Sequence, residues 1–275
     1  MTPPAAQPGD GAARVTGSGV LLPWGQGPQA VVAGWPSAAG AAARIANFNP
    51  REHIHSAKAL RAMPRGFQLT AAAAGLALRA AGIAAEAEGL AAAGIAPERA
   101  GVIVAAVDLN PVTPDLLALL AAGEWSEGFG EAALHGLHPF RRLHLLTNMA
   151  AAHISILFGF QGPSLTLTSG DGAAAQALME AAGMLAEGRA DVVLCAASDC
   201  PEQTLGPGGG GEAAAAVLLE RADAAARRGA AGAGLDPAEP GGDWARRYPV
   251  CGALLAAAAR AAQAQAGAGM AEVGR

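Results

Sequence analysis

Residues 162–176 read GPSLTLTSGDGAAAQ and form the most informative part of the chain. The run after Pro163 predicts a strand, residues 169–172 predict a sharp turn of small residues, and residues 173–186 predict a helix. In a strand–turn–helix unit of this kind, the bend lifts one side chain off the sheet edge, and the helix N-terminus supplies oriented N–H groups. A nucleophile is normally presented at that position, which we call the elbow. Here the residue is Asp171.

Several further elements are predicted around the elbow. They are an apolar helical run at 148–160, strands at 14–23, 101–107 and 189–198, and a helix at 66–81 that ends at Gly82. The run at 101–107 is short, continuous and apolar, which is typical of a strand buried on both faces. Together these elements indicate an α/β protein.

The remaining stretches carry weaker patterns. Helices are predicted at 84–93, 115–122, 221–229 and 248–266, and loops at 24–49 (with one short helix), 123–136 and 230–243. Residues 212–220 fit a strand or a helix equally well. The glycine run at 205–211 lacks a phosphate-binding fingerprint and is interpreted as a connector. The composition of residues 1–12 predicts a disordered tail.

Composition excludes several classes of function. The net charge is −5 and Lys58 is the only lysine, so neither a nucleic-acid footprint nor a polybasic membrane patch is expected. No membrane span is predicted. Three cysteines without a signal peptide predict a cytoplasmic protein. All six histidines lie at or before His153, so the sequence predicts no metal site. The 52% hydrophobic share is largely alanine, with 4% aromatics, which predicts close packing through small side chains.

The amino-acid sequences of three segments are more specific than a general α/β pattern. They are NMAAAHISI at 148–156, GPSLT at 162–166 and TSGDGAAAQ at 168–176. In this order they strongly resemble the β-ketoacyl synthase family. Weaker similarities at 65–82, 98–107, 189–198 and 210–228 extend the resemblance over most of residues 14–230. The resemblance implies a thiolase-like, layered α-β-α-β-α architecture with an abbreviated C-terminal half. Residues 13–204 would form the ketosynthase-like half with the elbow, and residues 205–275 the shortened half.

The departures from the family concern its chemistry. Laid residue on residue, the nucleophilic cysteine of the family falls on Asp171. The family also uses two histidines and a lysine in its C-terminal half, whereas this sequence has no histidine after His153 and no lysine after Lys58. We therefore assign no catalytic residue and expect no cofactor.

A ketosynthase-like chain without the catalytic residues resembles the chain-length factors of type II polyketide systems. Its short second half resembles most the factors of the aryl-polyene kind. The resemblance implies a heterodimer with an active β-ketoacyl synthase, in which this chain shapes the acyl tunnel, and contact with an acyl carrier protein. The candidate interface or tunnel residues are Asn148, Met149, His153, Phe158 and Phe160. Arg141 and Arg142 are candidates for carrier-protein contact.

Each of these residues also has a simpler interpretation. Asp171, at or next to the N-cap of the following helix, would satisfy free N–H groups and favour the helix dipole. The phenylalanines and Met149 would be core residues, and Arg141 and Arg142 would be a solvated pair. Two alternative functions remain open. One is a stand-alone acyl-thioester hydrolase or decarboxylase, which requires His153 within hydrogen-bond reach of Asp171. The other is an inert scaffold that binds carrier protein.

Overall fold

The computed structural model describes residues 13–34, 44–106, 146–200, 211–235, 242–248 and 250–273. The predictions for residues 1–12, 115–122 and 123–136, for most of 205–211, and for Arg141 and Arg142 fall outside these ranges.

The described strands form one seven-stranded sheet in the order β2-β1-β6-β5-β3-β4, with β7 paired to β1. Strands β4, β3 and β5 run parallel, and β6 is antiparallel to both β5 and β1. The bounds are β1 Ala13–Leu22, β2 Gly25–Gln26, β3 Ala100–Ala105, β4 Ser164–Leu167, β5 Val192–Asp199, β6 Ala213–Arg221 and β7 Ala233–Gly234. Because β6 lies between β1 and β5, the chain beyond residue 204 completes the same sheet.

Helices cover both faces of the sheet. Their bounds are α1 Pro28–Val32, α2 Ala57–Arg61, α3 Arg65–Ala80, α4 Gly89–Ala92, α5 Met149–Phe158, α6 Ala173–Ala186, α7 Ala222–Arg227, α8 Asp243–Arg247 and α9 Gly252–Val273. Helices α3 and α5 pack on one face, and α6 and α9 pack on the other. None of the helices in the described ranges is long and apolar enough to cross a membrane.

The core is divided between the two faces of the sheet. Along β3, Ile103 and Ala105 face α6 and α9, whereas Val102 and Val104 face α3 and α5. All six residues of this strand are buried, which confirms the prediction of a strand covered on both sides. The α/β class is also confirmed. Of the five layers expected, the described residues show three, namely helices, one sheet and helices.

Small residues allow β1 and α3 to lie in direct contact. A Cβ atom on Gly17 would lie 2.2 Å from the carbonyl oxygen of Ala77, and one on Gly19 would lie 2.0 Å from that of Ala73. No side chain larger than hydrogen fits at either place. This confirms the expectation that backbone approaches backbone through small residues.

Some element predictions need correction. The helix expected at 84–93 is confined to the single turn α4. At its start, a Cβ atom on Gly89 would lie 1.9 Å from the carbonyl oxygen of Ala84. The last helix is longer than the predicted 248–266 and begins only at Gly252. Residues 230–243, expected to be a linker, contribute the short strand β7. Residues 212–220, which the pattern left open, form strand β6.

Candidate functional site at the elbow

The elbow follows strand β4 at the carboxyl edge of the sheet. Gly170 and Gly172 have φ values of 64° and 94°, in the left-handed region where glycine carries no steric penalty. They bracket Asp171, whose side chain is exposed. Helix α6 begins immediately afterwards, with the bounds that the sequence predicts. The elbow therefore exists, and it presents Asp171 at the surface.

Asp171 does not cap helix α6 by hydrogen bonding. The N-cap residue is Gly172, and no side chain accepts a hydrogen bond from the first turn of the helix. The predicted hydrogen-bonding role is therefore wrong, because the left-handed glycine takes the cap position and places the carboxylate one residue outside it. The helix dipole still favours an acidic residue at this end. Nearby, the Ser169 hydroxyl donates to Oε1 of Gln176 at 3.0 Å.

A second acidic residue, Asp199, ends strand β5 at the same edge of the sheet. Its carboxylate is buried, with 4% of the residue exposed, and accepts hydrogen bonds from the backbone N–H groups of Val250 at 3.2 Å and Cys251 at 2.8 Å. Burial raises the pKa of Asp199, and the charge of Asp171 raises it further. No sequence pattern predicts that these two acids lie on the same side of the sheet, because only the fold brings them there.

The three cysteines do not replace the missing nucleophile of the elbow. Cys195, Cys200 and Cys251 are all buried, and none forms a disulfide. Burial raises the pKa of the Cys195 and Cys251 thiols. Since the thiolate is the nucleophilic form of cysteine, these two side chains are in an unreactive setting.

His153 and Asp171 are not joined by a hydrogen bond in the structure. His153 is buried on α5, where its ring lies 6.5 Å from that of Phe67 on α3. The elbow instead leads into α6, which packs on the opposite face of the sheet. The arrangement that a hydrolytic dyad requires is therefore not seen.

The candidate interface residues differ in their exposure. Asn148 is exposed and Met149 is partly buried, whereas Phe158 and Phe160 are buried within the chain. Ile156, which is not among the predicted interface residues, is 73% exposed. A signal was present, because the buried residues of α5 recur at 150, 151, 154 and 158, and position 156 falls on the opposite side of such a helix.

A buried ion pair also escaped the sequence analysis. The Glu212 carboxylate, just before β6, receives two hydrogen bonds from Arg65, from Nε at 2.6 Å and Nη2 at 2.7 Å. The backbone N–H of Ile45 adds a third at 2.9 Å, and Arg44 a fourth at 3.2 Å. Burial alone would raise the pKa of Glu212, but the hydrogen bonds and charges together lower it. Near the other end of strand β6, the Arg228 guanidinium donates in the same two-pronged way to the buried carboxylate of Glu220.

The described ranges contain no group of three or more histidine, cysteine or acidic residues able to hold a metal ion.

Comparison with known families places these features in context. Residues 25–235 match the family model for the N-terminal domain of β-ketoacyl synthases. The chain belongs to the β-ketoacyl synthase family. The match includes the elbow and strands β3 to β7, and it ends before α8 and α9. Comparison with curated proteins gives no match.

Solved structures of the family share the fold. A chain of a type II polyketide synthase complex, described as an acyl-carrier protein with its ketosynthase bound to the hexaketide, superposes with a TM-score of 0.64 at 23% identity. A β-ketoacyl synthase from Burkholderia phymatum STM815 gives 0.62 at 19%. The ishigamide ketosynthase/chain length factor gives 0.59 at 20%. Each alignment covers 80% of this chain but only 66%, 62% and 61% of the respective neighbour. The thiolase-like ketosynthase fold is thus shown over about two thirds of the neighbours' length.

Proposed function

We propose that the chain is a non-catalytic ketosynthase-like subunit that pairs with an active β-ketoacyl synthase and helps to set the length of its product. One observation carries this proposal. The elbow is built as the family requires, yet it presents Asp171 where the resemblance places the nucleophilic cysteine.

The chemistry of the two side chains explains why the substitution matters. A thiolate that attacks an acyl thioester forms another thioester, so the exchange is nearly balanced in energy. A carboxylate would form a mixed anhydride, which is strongly uphill. It would also repel the oxyanion that backbone N–H groups of an active elbow stabilise. Asp171 is thus a poor acceptor for an acyl group.

The edge strand β4 and the helices beside it offer a surface for the partner. In the described part of the sheet, β4 is paired to β3 alone, so its other side presents backbone N–H and C=O groups. Helices α5 and α6 flank this edge on the two faces and carry Ile156 and Met179, which are 73% and 50% exposed. An edge strand between exposed apolar side chains favours docking through strand addition. Asn148 and Met149 would lie at the same surface, at the start of α5.

An acyl carrier protein is the second partner, inferred by analogy. The names of the neighbouring structures mention an acyl-carrier protein for one and a chain length factor for another. By analogy, this chain would contact an acyl carrier protein during polyketide-type elongation, and Arg141 and Arg142 remain the candidates for that contact. Membership of the aryl-polyene kind, a cytoplasmic location and the division at residue 204 belong to the same proposal.

Co-expression tests the pairing. The wild-type chain and an active synthase from the same source should elute together in size-exclusion chromatography. Ile156→Ser should weaken this association, because it removes an apolar contact without disturbing the core. Val32→Ser is the matched control, since Val32 is also exposed but lies on α1, next to β1 and β2. Separate elution of the two wild-type proteins would refute the pairing. Equal effects of both variants would show that the interface does not lie at the α5 surface.

The enzymatic alternative is tested with the purified chain alone. A hydrolase or decarboxylase would release free acid or CO₂ from acyl carrier protein substrates. We expect no release above background, since Asp171 and His153 are not hydrogen-bonded. An inert scaffold is distinguished by product analysis, because it would leave the product length unchanged when Met149 is replaced by alanine.

A further inference from the structure

Three carboxylates are buried in the described part of the chain, and one of them differs from the others. Glu212 and Glu220, both 0% exposed, are each held by a two-pronged arginine. Among the described residues no cation lies beside Asp199, whose carboxylate accepts hydrogen bonds from the N–H groups of Val250 and Cys251. An ionised carboxylate without a cation is costly to bury. Asp199 is therefore the buried acid whose charge the fold opposes most.

The groups around Asp199 act on its charge in both directions. The carboxylate of Asp171 raises the pKa of Asp199, whereas the hydrogen bonds from the Cys251 thiol and from the N–H groups of Val250 and Cys251 lower it; burial is the largest influence, and the pKa is raised overall. Glu212, which pairs with Arg65, directly precedes Ala213, the residue that pairs with Asp199. Because side chains alternate along the chain into β6, Glu212 lies on the other face of the sheet from Asp199. Cys200, the next residue, contacts Glu212 on that other face.

The hydrogen bonds of Asp199 connect the sheet to helix α9. Val250 and Cys251 immediately precede this helix, which packs against α6, β6 and β1 and buries Leu254 and Leu255. The carboxylate thus fastens the N-terminal end of α9 to the carboxyl end of β5. The elbow residue Asp171 lies next to this attachment.

We propose that Asp199 is a proton-dependent latch for the start of helix α9, and that the charge of Asp171 sets the pH at which the latch loosens. When the latch is closed, the ionised form is buried, and the described ranges place no cation beside it. When it opens, water solvates the carboxylate and its pKa returns toward the ordinary value of 3.8. A group whose pKa is higher in the closed state binds its proton more tightly there, so opening becomes easier as the pH rises. The opening constant then rises by at most about tenfold per pH unit and levels off once Asp199 is ionised in the closed state.

This gives the acidic elbow residue a role that requires no catalysis. It concerns the chain alone, so it stands or falls independently of the proposed pairing with a synthase. A loosened α9 would expose the face of α6 that it covers, which makes the packing on this side of the sheet dependent on pH.

Amide hydrogen exchange followed by NMR tests the latch in the purified chain. The N–H groups of Val250, Cys251 and Leu255 should lose protection as the pH rises from 4 upward, after correction for the intrinsic exchange rate. The amides of β3 serve as the internal reference and should show no such change. Asp199→Asn, which is neutral at every pH, should abolish the pH dependence at the start of α9.

Asp171→Asn should shift the midpoint of the protection change to lower pH, because it removes the anion that opposes ionisation of Asp199. Glu187→Gln is the matched control, since it removes the same charge from the exposed far end of α6 and should leave the midpoint in place. If Asp199→Asn does not fold, the Asp171→Asn shift still decides. Protection that is independent of pH in the wild type, a slope that persists in Asp199→Asn, or an unchanged midpoint in Asp171→Asn would overturn the proposal.

Discussion

Replacing Arg65 with methionine should test a buried electrostatic contact between α3 and the start of β6. The Glu212 carboxylate is completely buried, and Arg65 donates to both of its oxygens at 2.6 and 2.7 Å. The same guanidinium donates to the carbonyl of Ile45 at 2.8 Å. The variant would keep much of the side-chain volume but leave a buried negative charge without its main partner. It would also leave one carbonyl without its donor.

The loss in the free energy of unfolding depends on the contacts that Glu212 keeps in the variant. Breaking a buried pair by removing one partner typically costs about 3–5 kcal/mol. Here the Ile45 N–H and the half-exposed Arg44 still reach Glu212, at 2.9 and 3.2 Å, so the loss should lie at the low end, about 3 kcal/mol. The double variant Arg65→Met with Glu212→Met should recover most of it, because an apolar pair replaces the buried charges.

Urea unfolding at pH 7 measures these changes through the midpoint at constant slope. Arg189→Met is the matched control, because its pair with Glu187 has a similar distance of 2.6 Å but is exposed on both sides. This control should cost less than about 1 kcal/mol. A loss of less than about 1 kcal/mol for Arg65→Met, or a double variant less stable than the single one, would refute the reasoning.

Three further predictions concern packing and pH. Gly19→Ala should cost about 3 kcal/mol or more in urea unfolding, because its Cβ would lie 2.0 Å from the carbonyl oxygen of Ala73; Gly183→Ala, which meets nothing within 4 Å, should instead stabilise α6 by about 0.5–1 kcal/mol. Phe158→Ala should cost about 3–5 kcal/mol, since this ring is buried between α5 and α3. Burial and the charge of Arg79 lower the pKa of His53, so the unfolded chain takes up that proton first. The thermal midpoint should therefore fall as the pH drops below about 6.5, less steeply in His53→Gln.

The elements around the elbow could be predicted because their signals are local. Small residues at 169–172 mark the turn, and the helical run that follows sets the bounds of α6 correctly. The glycine stop at Gly82 likewise marks the end of α3. In each case the residues that determine the conformation lie within a few positions of it.

Residues 212–220 could not be assigned because strand β6 is buried on both faces and rich in alanine. Neither the alternation of a half-exposed strand nor the apolar stripe of a surface helix appears in such a run. Only its pairing with β1 and β5 settles the matter.

The charged contacts were missed for a different reason. Arg65 and Glu212 are 147 positions apart in the chain, and Asp199 reaches Val250 and Cys251 across 51 and 52 positions. Such contacts follow from sheet order and helix placement, which sequence patterns do not specify. The elbow residue could be found from the sequence, but its buried neighbour Asp199 could not.

The most direct test of the proposed role combines association with acyl transfer. The chain, an active β-ketoacyl synthase from the same source and an acyl-loaded carrier protein are mixed, separated by size-exclusion chromatography, and analysed by intact-protein and peptide mass spectrometry. We predict that the chain and the synthase elute as one complex and that, of these two proteins, only the synthase receives the acyl group. Separate elution, or an acyl adduct on the peptide that contains Asp171, would contradict the account.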